Sequence, residues 1–237
     1  MDAISVTDLV VDRGKATVLN GLTCRAAAGR ITGLLGPSGS GKTTLIRAIV
    51  GVQVLRSGTV TVLGEPAGSR TLRDKIGYVS QAPSIYLDLT VLENVRYFAA
   101  IAGVDATVAR QAVDQVGLAS DAGHLVRNLS GGQQSRASLA CAIVGDPSVL
   151  VLDEPTVGQD PVLREELWDF FRQRAQAGAT VLVSSHVMDE ANRCDALLLI
   201  REGVLLADDT PAAIKTHAGT DDMDRAFLHL IKEGARS

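Results

Sequence analysis

Aromatic side chains are scarce in this 237-residue sequence, with Phe, Trp and Tyr together making up 3% of it. That scarcity argues against a base-stacking nucleic-acid platform, which displays several aromatics on one sheet. Positive charge is not in excess either. Lys plus Arg number 23 against 27 Asp plus Glu, a formal net charge of −4, so the basic field of a general DNA binder is missing and no nucleic-acid partner is expected. Cysteine is sparse: Cys24, Cys141 and Cys194 lie far apart and show no Cys-x-x-Cys spacing. This excludes a disulfide scaffold and a cysteine zinc site, and a reducing compartment is expected. Long apolar runs are absent too. Val149–Leu152 and Ala196–Ile200 fall far below the ~18–20 residues of a membrane span, and the N-terminus has no basic stretch leading into an apolar one. The expectation is a cytosolic chain that does not itself cross a membrane. Core material is plentiful: 46% of residues are hydrophobic against 21% charged, which rules out disorder over most of the length.

Short apolar or alternating runs dominate before residue 36. Ile4, Val6, Leu9 to Val11, Val18 to Leu22 and Ile31 to Leu35 read as strands separated by Gly, Asp and Asn. Thr43 to Val50 reads as a helix closed by Gly51, and Thr59–Leu63 and Ile76–Val79 as further strands. From about Ala82 to Gly145 the texture turns helical. Thr90 and Glu93 form a capping box for Val91–Ala102, and Ala106–Val116 and Gly132–Val144 follow. Alternation then returns with strand Val149–Asp153, helix Pro161–Ala177 and strand Thr180–Ser184. Val187–Asn192, Ala196–Arg201 and Val204–Ala207 complete the core. Near-continuous apolar strands are expected in a parallel sheet covered by helices on both faces, so an α/β fold is predicted.

Two motifs carry chemistry on their own. Gly36-Pro37-Ser38-Gly39-Ser40-Gly41-Lys42-Thr43 fits G-x-x-x-x-G-K-[ST], follows an apolar strand and opens a helix. Its glycines let N–H groups from about Gly39 to Thr44 wrap a triphosphate, and the helix start adds partial positive charge. Lys42 would reach the β and γ phosphates, and the Thr43 hydroxyl would coordinate Mg²⁺. The second motif is Val149 to Leu152 running into Asp153 and Glu154, a buried strand delivering two carboxylates at its C-terminal end. Adjacent side chains on a strand point to opposite sides. One of the two carboxylates is then expected to hold Mg²⁺ through water, and the other to face the attacking water as general base.

With Leu129-Ser130-Gly131-Gly132-Gln133 added, the set resembles the ATP-binding cassette of ABC ATPases over roughly residues 4–215. Gln81 is similar to the Q-loop glutamine, Asp160 in Thr156-Val157-Gly158-Gln159-Asp160 to the D-loop aspartate, and His186 after Ser184-Ser185 to the switch histidine. The resemblance implies a P-loop NTPase core with a mostly parallel sheet, an N-terminal antiparallel β subdomain and an inserted α-helical subdomain. The whole of 1–237 would be one domain: about 1–81 and 146–215 as core, 82–145 as the insert, and 216–237 as a C-terminal helical tail. It implies ATP and Mg²⁺ as ligands, Glu154, His186, Gln81 and Lys42 as catalytic groups, and Thr43, Gln81 and Asp153 around the metal. Ser130, Gly131, Gly132 and Gln133 would cap the γ-phosphate held by another copy, with Asp160 beside it.

Two positions depart from the family pattern. Arg13 stands where an aromatic usually meets the adenine, and its guanidinium can stack on a purine face. Gln159 replaces the usual D-loop Leu at what the family uses as a dimer contact. Asp153–Leu167 and His186–Asp209 are similar to the bacterial daunorubicin-type exporter branch. A motor subunit at the cytoplasmic face of the membrane is therefore implied, partnered by an integral-membrane permease docking on Ala82–Ala100 and by a homodimeric or paired cassette. The alternative is a soluble ABC ATPase such as an iron–sulfur assembly protein. His124, His217 and His229 read as surface or structural groups, Trp168 as packing. Met223, Ala226, Phe227, Leu230 and Ile231 read as a helix face turned to its own domain.

Overall fold

The computed structural model describes residues 1–234; the last three residues of the expected 216–237 tail lie outside the described residues. Two sheets organise the chain. The first contains β1 (Asp2–Arg13), β2 (Ala16–Ala27), β4 (Ser57–Val62) and β5 (Glu65–Pro66), antiparallel in the order β2-β1-β4-β5. The separate runs Ile4 to Val11 and Val18 to Leu22 are thus parts of two longer, kinked strands. Register shifts at positions such as Val6/Leu9 break the alternation that the sequence reading relied on.

The second sheet has the order β10-β9-β3-β8-β7-β6. β3 (Ile31–Leu35), β6 (Ile76–Val79), β7 (Val149–Asp153), β8 (Thr180–Ser185) and β9 (Ala196–Arg201) run parallel, and β10 (Val204–Asp209) returns antiparallel at the edge. Every residue of β3, β7 and β8 is buried, as their unbroken apolar runs require. Period-two alternation splits these residues between two apolar clusters. Leu150, Leu152, Val181 and Val183 pack against α2 (Val91–Ala102), α3 (Ala106–Gln115), α4 (Gly131–Ile143), α5 (Pro161–Gln176) and α7 (Met223–Gly234). Val149, Val151 and Leu182 face α1 (Lys42–Ile49) and the antiparallel sheet.

Helix ends follow local chemistry. Thr90 and Glu93 close the expected capping box on α2. Ser130 and Gln133 close another on α4, which starts at Gly131, one residue before the expected Gly132. Likewise α1 begins at Lys42 rather than Thr43. Val187–Asn192 corresponds to a 3₁₀ segment, Met188–Arg193. α6 (Pro211–Ala218) leads into α7, whose Met223, Ala226, Phe227 and Leu230 are buried in the core. Trp168 and Phe171 are fully buried on α5 with ring centroids 5.6 Å apart, edge to face.

Phe171→Ala removes one half of this pair from a closed interior. It should destabilise the fold by about 3–5 kcal/mol in urea titration, the usual cost of an aromatic cavity.

Candidate active site

Four neighbouring strands end at one edge of the parallel sheet, and each delivers a part of the site. β3 leads into the Gly36–Thr43 loop, β8 into His186, β7 into Asp153 and Glu154, and β6 into Gln81. Register holds the ends level: Leu35 lies opposite Ser185, Asp153 opposite Ser184, and Val79 opposite Leu152.

At the β3 end the chain wraps before entering α1. Gly41, the N-cap of α1, has φ 108°, a left-handed conformation in which an added Cβ would also stand 2.7 Å from Leu19. No side chain caps α1, and its first residues, Lys42 to Thr44, line a cavity. Lys42 is 4% exposed; its Nζ donates to the carbonyls of Gly36 at 2.8 Å and Pro37 at 3.1 Å. Burial lowers the Lys42 pKa, and the negative charges of Glu154 and Asp153 act against that shift.

Glu154 is where the groups meet. Its carboxylate lies 3.7 Å from Lys42 Nζ, accepts a hydrogen bond from Gln81 Nε2 at 3.4 Å, and stands 3.3 Å from His186 Nδ1. Behind it, Ser184 Oγ accepts from the Glu154 N–H at 2.9 Å and donates to Asp153 Oδ1 at 2.7 Å. Asp153 is 1% exposed, and its other oxygen, Oδ2, has no partner among the described residues. That orphaned oxygen is what the inward carboxylate of a cation site would present.

Around these groups lie two adjoining cavities. One, of about 470 Å³, is lined by the Ser38–Thr44 loop together with Arg13, Gln81 and Glu154. The other, of about 500 Å³, is lined by Ser130 to Gln133, Gln159 and Asp160, again with Gln81 and Glu154. The cradle loop and the Ser130 segment therefore open on different cavities within one chain. Arg13 is exposed at the rim of the first. Ser130 Oγ accepts from the Gln133 N–H at 3.3 Å, which leaves its hydroxyl proton available to donate.

Two residues of the loop before α5 make hydrogen bonds within their own chain. Asp160 is the N-cap of α5, its Oδ1 accepting from the N–H groups of Val162 and Leu163. Gln159, expected at a contact between copies, is 6% exposed and bonds within its own chain, its Nε2 donating to the Gly132 carbonyl at 3.2 Å. Sequence reasoning missed Ser184 as the bridge between the carboxylates; its place opposite Asp153 in the next strand becomes visible only in the register. The thiols of Cys24, Cys141 and Cys194 are buried and pushed up to about 12, which removes them as nucleophiles. His124, His217 and His229 are exposed and stand beside Asp121 and Glu233 rather than Asp153 or Glu154.

A glycine-rich cradle at one strand end, beside a carboxylate pair two strands away, defines a P-loop NTPase core. Comparison with known proteins narrows it. The sequence profile described as "ABC transporter" matches residues 19–157. The chain is 40% identical over 216 residues to Nod factor export ATP-binding protein I of Burkholderia orbicola, covering 88% of this chain and 71% of that protein. It is 37% identical over 216 residues to the probable multidrug ABC transporter ATP-binding protein YbhF of Escherichia coli. That match covers 86% of this chain but 37% of YbhF, so the chain spans little more than a third of that relative. Among solved structures, the fold matches an ATP-binding subunit of an ABC transporter with a TM-score of 0.89 at 24% identity, covering 97% and 99% of the two chains. The chain belongs to the ABC transporter family of ATP-binding cassettes, a family of ATPases.

Ser184→Ala deletes the bridge between the two carboxylates and leaves Asp153 Oδ1 and the Glu154 N–H without it. A loss of about 1–3 kcal/mol is expected, the cost of buried polar groups left unsatisfied, and an unchanged urea midpoint would dismiss the bridge.

Proposed function

We propose that this chain is the ATP-hydrolysing motor subunit of an ABC exporter. It binds MgATP, pairs head to tail with a second cassette, and drives a separate integral-membrane permease from the cytoplasmic face. The observation that carries the ATPase reading is the convergence of Lys42, Gln81 and His186 on the Glu154 carboxylate beside the cradle. The export reading draws on the relatives, whose names specify multidrug transport and Nod factor export. In this reading 1–81 and 146–215 form the core of a single cassette, 82–145 its helical insert, and residues from 216 onward its tail.

The residues divide the chemistry among them. N–H groups of Gly39 to Thr44 hold the triphosphate, Lys42 binds its β and γ oxygens, and Arg13 lies against the purine face. Glu154 accepts a proton from the attacking water, whose oxygen bonds to the γ-phosphorus as the bond from that phosphorus to the β–γ bridging oxygen breaks and ADP leaves. Gln81 and His186, both within hydrogen-bonding reach of the same carboxylate, orient that water. The donor set fits Mg²⁺: the orphaned Asp153 Oδ2, the Thr43 hydroxyl and the Gln81 amide oxygen would hold it, and the ion would offset the charge of the phosphates.

The two adjoining cavities support the pairing. Ser130, Gly131, Gly132 and Gln133 line a cavity that the cradle loop does not line, which suits them to a nucleotide held by another copy. A head-to-tail second copy brings its triphosphate to that helix start. For the permease, an apolar groove of about 340 Å³ between core and insert is lined by residues including Tyr78, Ile85, Phe98 and Ile101, and Tyr86 and Tyr97 are exposed on the insert. Among the described residues no helix is long and apolar enough to cross a membrane.

Lys42→Ala should abolish MgATP binding, read with a fluorescent ATP analogue on the folded variant; near-normal affinity would sink the cradle assignment. Glu154→Gln separates binding from chemistry, because it keeps the shape and removes the proton acceptor. ATP should still bind while turnover falls by about 10²–10⁴-fold, and wild-type turnover would remove Glu154 from the mechanism.

A further inference from the structure

Gln159 stands in the loop between β7 and α5, yet its carboxamide turns into the protein. Nε2 donates to the Gly132 carbonyl at 3.2 Å, joining segments 27 residues apart in sequence. Oε1 is buried and has no hydrogen-bond partner among the described residues. Gly132 suits this approach, since a Cβ there would come within 2.8 Å of Oε1.

Each joined segment carries its own local hydrogen bonds. The start of α4 is closed by the reciprocal Ser130–Gln133 box. The loop is a chain of turns: the Val157 N–H donates to the Glu154 carbonyl, the Gln159 N–H donates to the Thr156 carbonyl, and Asp160 then caps α5. The Gln159–Gly132 hydrogen bond is a direct polar link between them. An apolar side chain of the same volume would fill the space without an orphaned acceptor, so the carboxamide adds direction rather than stability.

We propose that Gln159 is a positioning residue that clamps the phosphate-facing start of α4 to the loop carrying Glu154, so that the two segments move as one. The proposal rests on the reading of Ser130 to Gly132 as facing the nucleotide of a second cassette. Through the clamp, closure of the α4 start on that nucleotide would be felt at Glu154, the general base of the chain's own site.

The test compares wild-type protein with Gln159→Leu and Gln159→Met, which keep the volume and remove the donor. Amide hydrogen exchange is read over 128–136 and 154–162 in nucleotide-free protein, with the thermal midpoint and the ATP dependence of turnover. Exchange should quicken in both segments by about 2–10-fold, the range one net hydrogen bond supports. The midpoint should stay at or above that of wild type, because the orphaned acceptor is gone. Half-saturating ATP should rise by a similar factor, with kcat moving less. Unchanged exchange in both segments of a folded variant would overturn the clamp. Faster exchange across the whole chain with a lower midpoint marks a plain packing role and overturns it too. Faster exchange in the two segments with an unchanged ATP dependence would leave the mechanical link standing and overturn the phosphate-facing reading of α4.

Discussion

A carboxylate and an ammonium held almost out of water, 10% and 4% exposed and 3.7 Å apart, constrain everything around them. Removing such ions from water costs several kcal/mol each after relaxation, and attraction between them repays it only when their remaining bonds are satisfied. The surroundings meet that condition. Two backbone carbonyls take up Lys42, and Gln81 and His186 flank Glu154. Burial still lowers the Lys42 pKa against the pull of Glu154 and Asp153, so desolvation outweighs the pairing. The groups that would contact a γ-phosphate and its attacking water are thus already assembled around one anionic side chain. Such preorganisation is the form of catalysis that needs least rearrangement at the moment of reaction.

That assembly depends on strand register more than on any loop. Asp153 sits opposite Ser184 across β7 and β8, which is why one hydroxyl can serve both the Asp153 carboxylate and the Glu154 N–H. A one-residue slip would send every side chain of β7 to the other face of the sheet. Leu150 and Leu152 would then leave the helical side, and Val149 and Val151 would leave the α1 side. The hydrophobic clusters on both faces therefore enforce the register that aims the carboxylates. Core packing and the placement of the two carboxylates are one constraint here.

Much of this was legible in the chain of residues, and what was not has a physical reason. The cradle, the carboxylate strand and the capping boxes depend on neighbours within a few positions, so local spacing shows them. The kinks of β1 and β2 did not show, because bulges follow from pairing with another strand. The inward turn of Gln159 was likewise hidden: a D-loop residue faces its own chain or a partner according to which surface lies behind it, and Gly132 is 27 positions away. Gln81 and His186 were recognisable only by likeness to a family. Their meeting on Glu154 comes from β6, β7 and β8 being adjacent, which no local pattern encodes.

The adjacency of Asp153 and Glu154 poses a geometric problem whose solution is in the backbone. Strand alternation alone would point the two carboxylates to opposite sides of the sheet edge, one of them away from the cradle. Glu154 instead adopts φ 54°, a left-handed conformation that costs a side-chain-bearing residue about 1–3 kcal/mol. This kink ends β7 at Asp153, and beyond it the Glu154 carboxylate stands beside Lys42, while Asp153 keeps its strand position and its bond to Ser184. The Ser184 hydroxyl on the Glu154 N–H and the Val157 N–H on the Glu154 carbonyl hold the conformation from both sides. The strain at this strand end falls on the residue whose carboxylate reaches the cradle, and the same turn starts the loop that holds Gln159. Two adjacent acids meet two different sets of partners because one peptide unit between strand and loop leaves the strand geometry.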